Sequence, residues 1–174
     1  MKMSRVWEMP SSETFSIPAV RKFIYRHING GKVIIDPFAR DSKIGTITND
    51  IDPNTTAKSH TDAILFLKTV PDRSADIILF DPPYSPRQIS ECYQRLNLTV
   101  NIETTQATFW SEIKDEINRI IKPGGIVLSF GWNTNGLGKG RGFEIEEILL
   151  VAHGGNHNDT ICMAERKMQM TLTS

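Results

Sequence analysis

The stretch Asp76-Ile77-Ile78-Leu79-Phe80-Asp81-Pro82-Pro83-Tyr84 constrains this chain more than any other. Four consecutive apolar residues leave no polar face, so a strand built from them must be covered on both sides. A parallel sheet with helices on each face meets that need. Pro82 and Pro83 then end the strand, because neither has an N–H to give a ladder and each fixes φ at about −65°.

The exit from that strand also carries chemistry. Asp81 and a proline carbonyl form a fork of two acceptors, which matches an exocyclic NH2 on a flat ring whose face can stack on Tyr84. Holding both hydrogens in tetrahedral directions localises the nitrogen lone pair. The amine can then attack an electrophilic methyl group, with the Asp81 carboxylate stabilising the positive charge that develops. Taken alone, the tetrapeptide is equally a strand-ending turn; its place after a central strand favours the chemical reading.

A chain of 174 residues suits one α/β domain, 1–174, with a real core. No apolar run approaches the roughly twenty residues that span a bilayer, and no signal peptide is visible. Cys92 and Cys162 are the only cysteines and form no Cys-x-x-Cys pair, so a cytoplasmic, reducing compartment is expected. With 20 basic and 20 acidic residues the net charge is zero, and any polyanion must be met by a local patch.

In chain order, residues 1–14 show no strong pattern and read as a flexible arm. Ile17, Val20, Phe23, Ile24 and Ile28 recur at helical spacing, which predicts a helix over 16–29. Val33–Asp36 reads as a strand followed by the loop Pro37–Ser42, and Ile44–Thr48 as a second strand. An acid closing the second strand of a nucleotide-binding half can hold both hydroxyls of a ribose; Asp50 is the first candidate and Asp52 the second, against a solvated acidic turn. Asp62 either accepts from an adenine amino group or caps the helix that follows.

Further along, Arg87 and Gln88 lie in a loop and helix over 85–98 and are candidates for a phosphate or base edge. Residues 104–121 form a core helix closed by Lys122-Pro123-Gly124-Gly125, and Ile126–Phe130 a buried strand. The glycine-rich loop 131–142 carries Trp132, Asn133, Lys139 and Arg141, which either bind substrate by stacking and phosphate contacts or decorate a surface loop. Two final strands, 144–151 and 160–164, form an antiparallel hairpin. His153, His157 and Asp159 sit around the turn Gly154-Gly155-Asn156 and have no further ligand beside them, which argues against a metal site.

This alternation predicts a doubly wound, mostly parallel seven-stranded sheet ending in the antiparallel hairpin. With these motifs the chain resembles the class I S-adenosylmethionine-dependent methyltransferases of Rossmann-like fold, and among them the phage and prophage-type enzymes that methylate adenine N6 in DNA. Asp36-Pro37-Phe38 resembles the start of the family's cofactor motif, Asn49-Asp50-Ile51-Asp52 its ribose-binding segment, Asp62-Ala63 its adenine-contacting position and Asp81-Pro82-Pro83-Tyr84 its catalytic motif. The resemblance implies S-adenosylmethionine as cofactor, with Asp36, Pro37, Phe38, Ala39, Asp50, Ile51, Asp62 and Ala63 around it, and a nucleic acid as partner. RNA in place of DNA, guanine N2 in place of adenine N6, and a non-catalytic binding protein of the same fold are the alternatives.

Two features depart from the family. Where it has a glycine-rich run after Asp-Pro-Phe, this chain has Ala39-Arg40-Asp41-Ser42, and Gly45 comes too late to replace it. No segment is left for a separate target-recognition domain, which makes an accessory subunit or a dimer an open expectation.

Overall fold

The computed structural model describes residues 1–28, 33–83 and 107–169. Its single sheet has seven strands: β1 (Lys2–Trp7), β2 (Ile34–Asp36), β3 (Ile47–Thr48), β4 (Ala75–Phe80), β5 (Ile121–Gly131), β6 (Phe143–Ala152) and β7 (Thr160–Lys167). They lie in the order β1-β6-β7-β5-β4-β2-β3. Every pairing is parallel except those of β7, which runs against both β5 and β6. The mostly parallel sheet with a closing antiparallel hairpin is the expected one.

Helix α1 (Pro18–His27) covers one face, and α2 (Ala63–Thr69) and α3 (Ala107–Ile120) cover the other. Strand β4 shows why its sequence has no polar face. Ile77 and Leu79 pack with Val20, Phe23 and Ile24 of α1, while Ile78 and Phe80 pack with Phe66, Leu67, Ile113 and Ile117 on the opposite side. Alternate side chains thus enter two separate cores.

Several boundaries differ from the sequence reading. Helix α1 starts at Pro18 after a 3-10 turn, Thr14–Ser16, because Pro18 suits a first helical turn and Ile17 is extended. The second strand shrinks to Ile47–Thr48. Helix α3 stops at Ile120, and Lys122-Pro123-Gly124-Gly125 belongs to β5 as an irregularity: the register jumps from Ala75↔Ile121 to Ile77↔Ile126. Gly124, at φ +80, takes the left-handed turn this bulge requires. The largest difference is β1. Lys2–Trp7 pairs with Glu147–Ala152 as an edge strand, in a segment that shows no pattern as sequence.

The predicted segment 85–98 lies outside the described residues. Among the described residues no helix is long and apolar enough to cross a membrane.

Candidate active site

Because six strands point one way, their carboxyl ends share one rim, and β4 and β2 lie side by side where the strand order reverses. Open α/β sheets bind ligands at such a switch point. A cavity of about 840 Å3 opens there. Pro37 and Phe38 reach it from β2, Asn49 to Asp52 from β3, Asp81, Pro82 and Pro83 from β4, Trp132 from β5 and His153 from β6. Ile17, at the start of α1, and Asp62 and Ala63, at the start of α2, complete the wall with Trp110 of α3. The volume lies in the range of roughly 300–1,000 Å3 usual for small-molecule sites.

Asp50 is 8 % exposed and held from both sides. Its Oδ2 accepts from the Arg40 N–H at 2.9 Å and its Oδ1 from the Asp52 N–H at 2.9 Å. Each oxygen keeps a further lone pair, so a fixed pair of acceptors faces the cavity. Asp62 is the N-cap of α2, accepting from the N–H groups of Ile64 and Leu65, and it also lines the cavity. The two readings of Asp62 are therefore compatible in space.

Asp36 and Ala39 do not line the cavity. Ala39 is buried and donates its N–H to the Asn49 carbonyl at 2.8 Å. Asp36 is wholly buried; its Oδ1 accepts from the Phe38 N–H, whereas Oδ2 has no hydrogen-bond partner among the described residues. Burial pushes this carboxyl well above the usual aspartate range. The Phe38 N–H pulls it back only in part, and the nearby Asp81 and Asp50 charges add to the rise.

The loop that replaces the glycine-rich run remains compatible with an open cavity. Arg40 itself adopts a left-handed conformation, φ 48, the backbone a glycine would take at least cost. Its guanidinium turns towards the N-terminal segment, donating to the Ser12 carbonyl at 2.7 Å and pairing with Glu13 at 3.1 Å. Gly45, although displaced in sequence, serves the same region. A Cβ there would lie 3.0 Å from both Asp36 Cβ and Thr48 Cγ2.

The candidates of the 131–142 loop separate. Trp132 is 40 % exposed and lines the cavity; Asn133, Lys139 and Arg141 do not. Arg141 pairs with Asp115 at 2.7 Å and donates to Ser111 Oγ at 2.8 Å, so it faces α3. The loop is pinned by the buried Glu165, whose carboxylate accepts from the N–H groups of Leu137 and Gly138. Tyr84, Arg87 and Gln88 lie outside the described residues.

Two contributors have weak sequence signals. Asn49 is buried, its amide donating to the carbonyls of Pro37 and Thr61 and its Oδ1 accepting from the Thr61 N–H. It clamps the β2 and β3 loops against the approach to α2, and only its adjacency to Asp50 hints at this. His153 bonds the Glu8 carbonyl through Nδ1 and Thr160 Oγ1 through Nε2, both at 2.9 Å. Since a carbonyl only accepts, Nδ1 carries the proton. Among the described residues no group of three His, Cys, Asp or Glu side chains is arranged to hold a metal ion.

No protein-family model matches the sequence, and no curated protein does either. Solved structures are similar in fold. The Escherichia coli protein yhhF, described as a methyltransferase, aligns at TM-score 0.57 and 10 % identity over 92 % of this chain and 90 % of its own. A Burkholderia thailandensis 1,6-didemethyltoxoflavin-N1-methyltransferase, crystallised with 1,6-didemethyltoxoflavin and S-adenosylhomocysteine, aligns at 0.58 and 10 % over 87 % and 78 %. An S-adenosylmethionine-dependent methyltransferase from Archaeoglobus fulgidus aligns at 0.56 and 11 % over 84 % and 91 %. The chain thus has the Rossmann-like fold of S-adenosylmethionine-dependent methyltransferases.

Proposed function

We propose that this chain is an S-adenosylmethionine-dependent methyltransferase acting on the N6 amino group of adenine in DNA. The observation that carries the reading is the meeting of Asp81-Pro82-Pro83 with Asp50, Asp62 and Phe38 on the wall of one cavity. The residues fit a cationic cofactor with a flat base. Asp50, Asp62 and Asp81 offset positive charge, and Phe38, Ile51 and Ala63 supply apolar surface for the adenine. When bound, S-adenosylmethionine supplies a methyl group made electrophilic by its sulfonium.

The chain's own groups orient the acceptor. The Asp81 carboxylate and the Pro82 carbonyl accept one hydrogen each from the substrate NH2, which turns the nitrogen lone pair out of conjugation. As positive charge grows on that nitrogen, Asp81 stabilises it and takes the departing proton. Tyr84 supplies a stacking face for the base, and an adenine within duplex must first leave the stack. Trp132, on the same wall, offers a second aromatic surface.

Incubation with labelled S-adenosylmethionine and adenine-containing single-stranded or duplex DNA, followed by nucleoside analysis, tests the reading. Label in N6-methyladenine supports it; label only in guanine, or no label in the DNA, contradicts it.

A further inference from the structure

A chain of zero net charge needs a local surface to hold a polyanion, and α1 supplies one. Between Glu13 and Asp36 the sequence has no acidic residue but carries Arg21, Lys22, Arg26 and Lys32. In the structure Arg21, Lys22, Tyr25 and Arg26 line one shallow groove with Ser16 and Pro18. They occupy the exposed face of α1, opposite the fully buried Val20, Phe23 and Ile24. Tyr25 is 55 % exposed, so its ring is open to a stacking partner from solvent.

The charges are not cancelled locally. Neither Arg21 nor Lys22 has an acidic partner among the described residues, and Arg21 only donates to the Phe15 carbonyl at 3.4 Å. Arg26 pairs with Glu147, but that same buried carboxylate also meets Lys2 and His27. One acid thus serves two full cations, and the face retains excess positive charge. The groove also adjoins the cavity: Thr14 and Ile17 line the cavity, while Ser16 and Pro18 line the groove.

We infer that the exposed face of α1 is the track for the sugar-phosphate backbone of the nucleic-acid strand whose base enters the cavity, with Tyr25 stacking on a neighbouring base. This rests on the proposed methylation of a nucleic acid and gives that substrate its binding surface. Ten helical residues extend about 15 Å. That length matches roughly four phosphates at the per-strand spacing of B-DNA. The combination of cations with one aromatic suits a strand better than an acidic protein, for which stacking has no use.

The test measures binding of a fluorescein-labelled, adenine-containing single strand by anisotropy, between about 50 and 200 mM salt. The variants are Arg21→Gln/Lys22→Gln, Tyr25→Ser and, as a control on the opposite side of the sheet, Lys68→Gln. The double variant should bind roughly ten- to a hundredfold more weakly at low salt, with its log–log salt slope shallower by about 1.4. Tyr25→Ser should lose roughly five- to tenfold with the slope unchanged. Lys68→Gln should bind as wild type, and all variants should keep the wild-type melting temperature.

A double variant with wild-type affinity and slope overturns the inference. So does a wild type that ignores the strand, or one that binds polyglutamate as tightly, which would make the face a protein-docking surface. Methylation of free adenosine separates this result from the fate of the function. If the strand binds through α1 but no adenine is ever methylated, the groove stands and the methyltransferase reading falls; if adenine is methylated while the α1 variants bind normally, the reverse holds.

Discussion

At Asp36 a carboxyl is buried with one oxygen that has no partner among the described residues, beside two other carboxylates. The arrangement favours the protonated form, because an uncharged oxygen tolerates burial that an anion does not. Since the folded value lies above the unfolded one, the native chain binds more protons than the unfolded chain as pH rises through that interval. Stability contributed by the neutral group is full below the unfolded aspartate value, about 3.9, and is lost as pH climbs through the raised folded value. Asp36→Asn keeps the shape and cannot ionise. Its urea midpoint should exceed that of the wild type at neutral pH, by a margin that shrinks towards acid. A constant margin at all pH values would show that ionisation of Asp36 is not the cause. Asp81→Ala tests the neighbouring role: methyl transfer should fall by at least about a hundredfold, a far larger loss than that of cofactor affinity.

Elements were legible where burial imposes a period and illegible where it does not. Helix α1 and strand β4 announce themselves because Val20, Phe23, Ile24 and Ile77 to Phe80 are all buried. Strand β1 does not, since five of its six residues are exposed on either face, Trp7 at 62 %. What holds it is the backbone register with β6, which no side-chain pattern encodes. The loop after β5 is a second case. Lys139 and Arg141 look like substrate ligands in sequence, but Glu165, twenty-odd residues away, pins the loop so that Arg141 faces Asp115. Gly45 carries an element-scale prediction. Adding a methyl there presses on Asp36 Cβ and Thr48 Cγ2, which belong to buried strand ends with little room to yield. Gly45→Ala should cost about 1–3 kcal/mol in urea unfolding. A neutral substitution would mean that the turn between β2 and β3 relaxes freely.

Across the whole molecule, the site exists because six strands share a direction and β7 alone opposes them. Residues far apart in sequence, Phe38, Asp50, Asp62, Asp81, Trp132 and His153, come to one rim for that reason. Their types could be read from the chain in short motifs, but their meeting depends on strand order. The N-terminal segment shows the limit most clearly, because Pro10, Ser11 and Ser12 line the cavity in a segment anchored by the β1–β6 pairing and by the Arg40–Ser12 hydrogen bond. The loop Ala39–Ser42 stands where a glycine-rich run was expected, yet a cavity of about 840 Å3 remains open beside it. Calorimetric titration of S-adenosylmethionine into the wild type and into Asp50→Ala, at low salt, tests this directly. The account predicts one site of micromolar affinity in the wild type, weakened at least about tenfold when the two Asp50 acceptors that face the cavity are removed. No heat of binding at millimolar cofactor, or equal affinity in the variant, would contradict it.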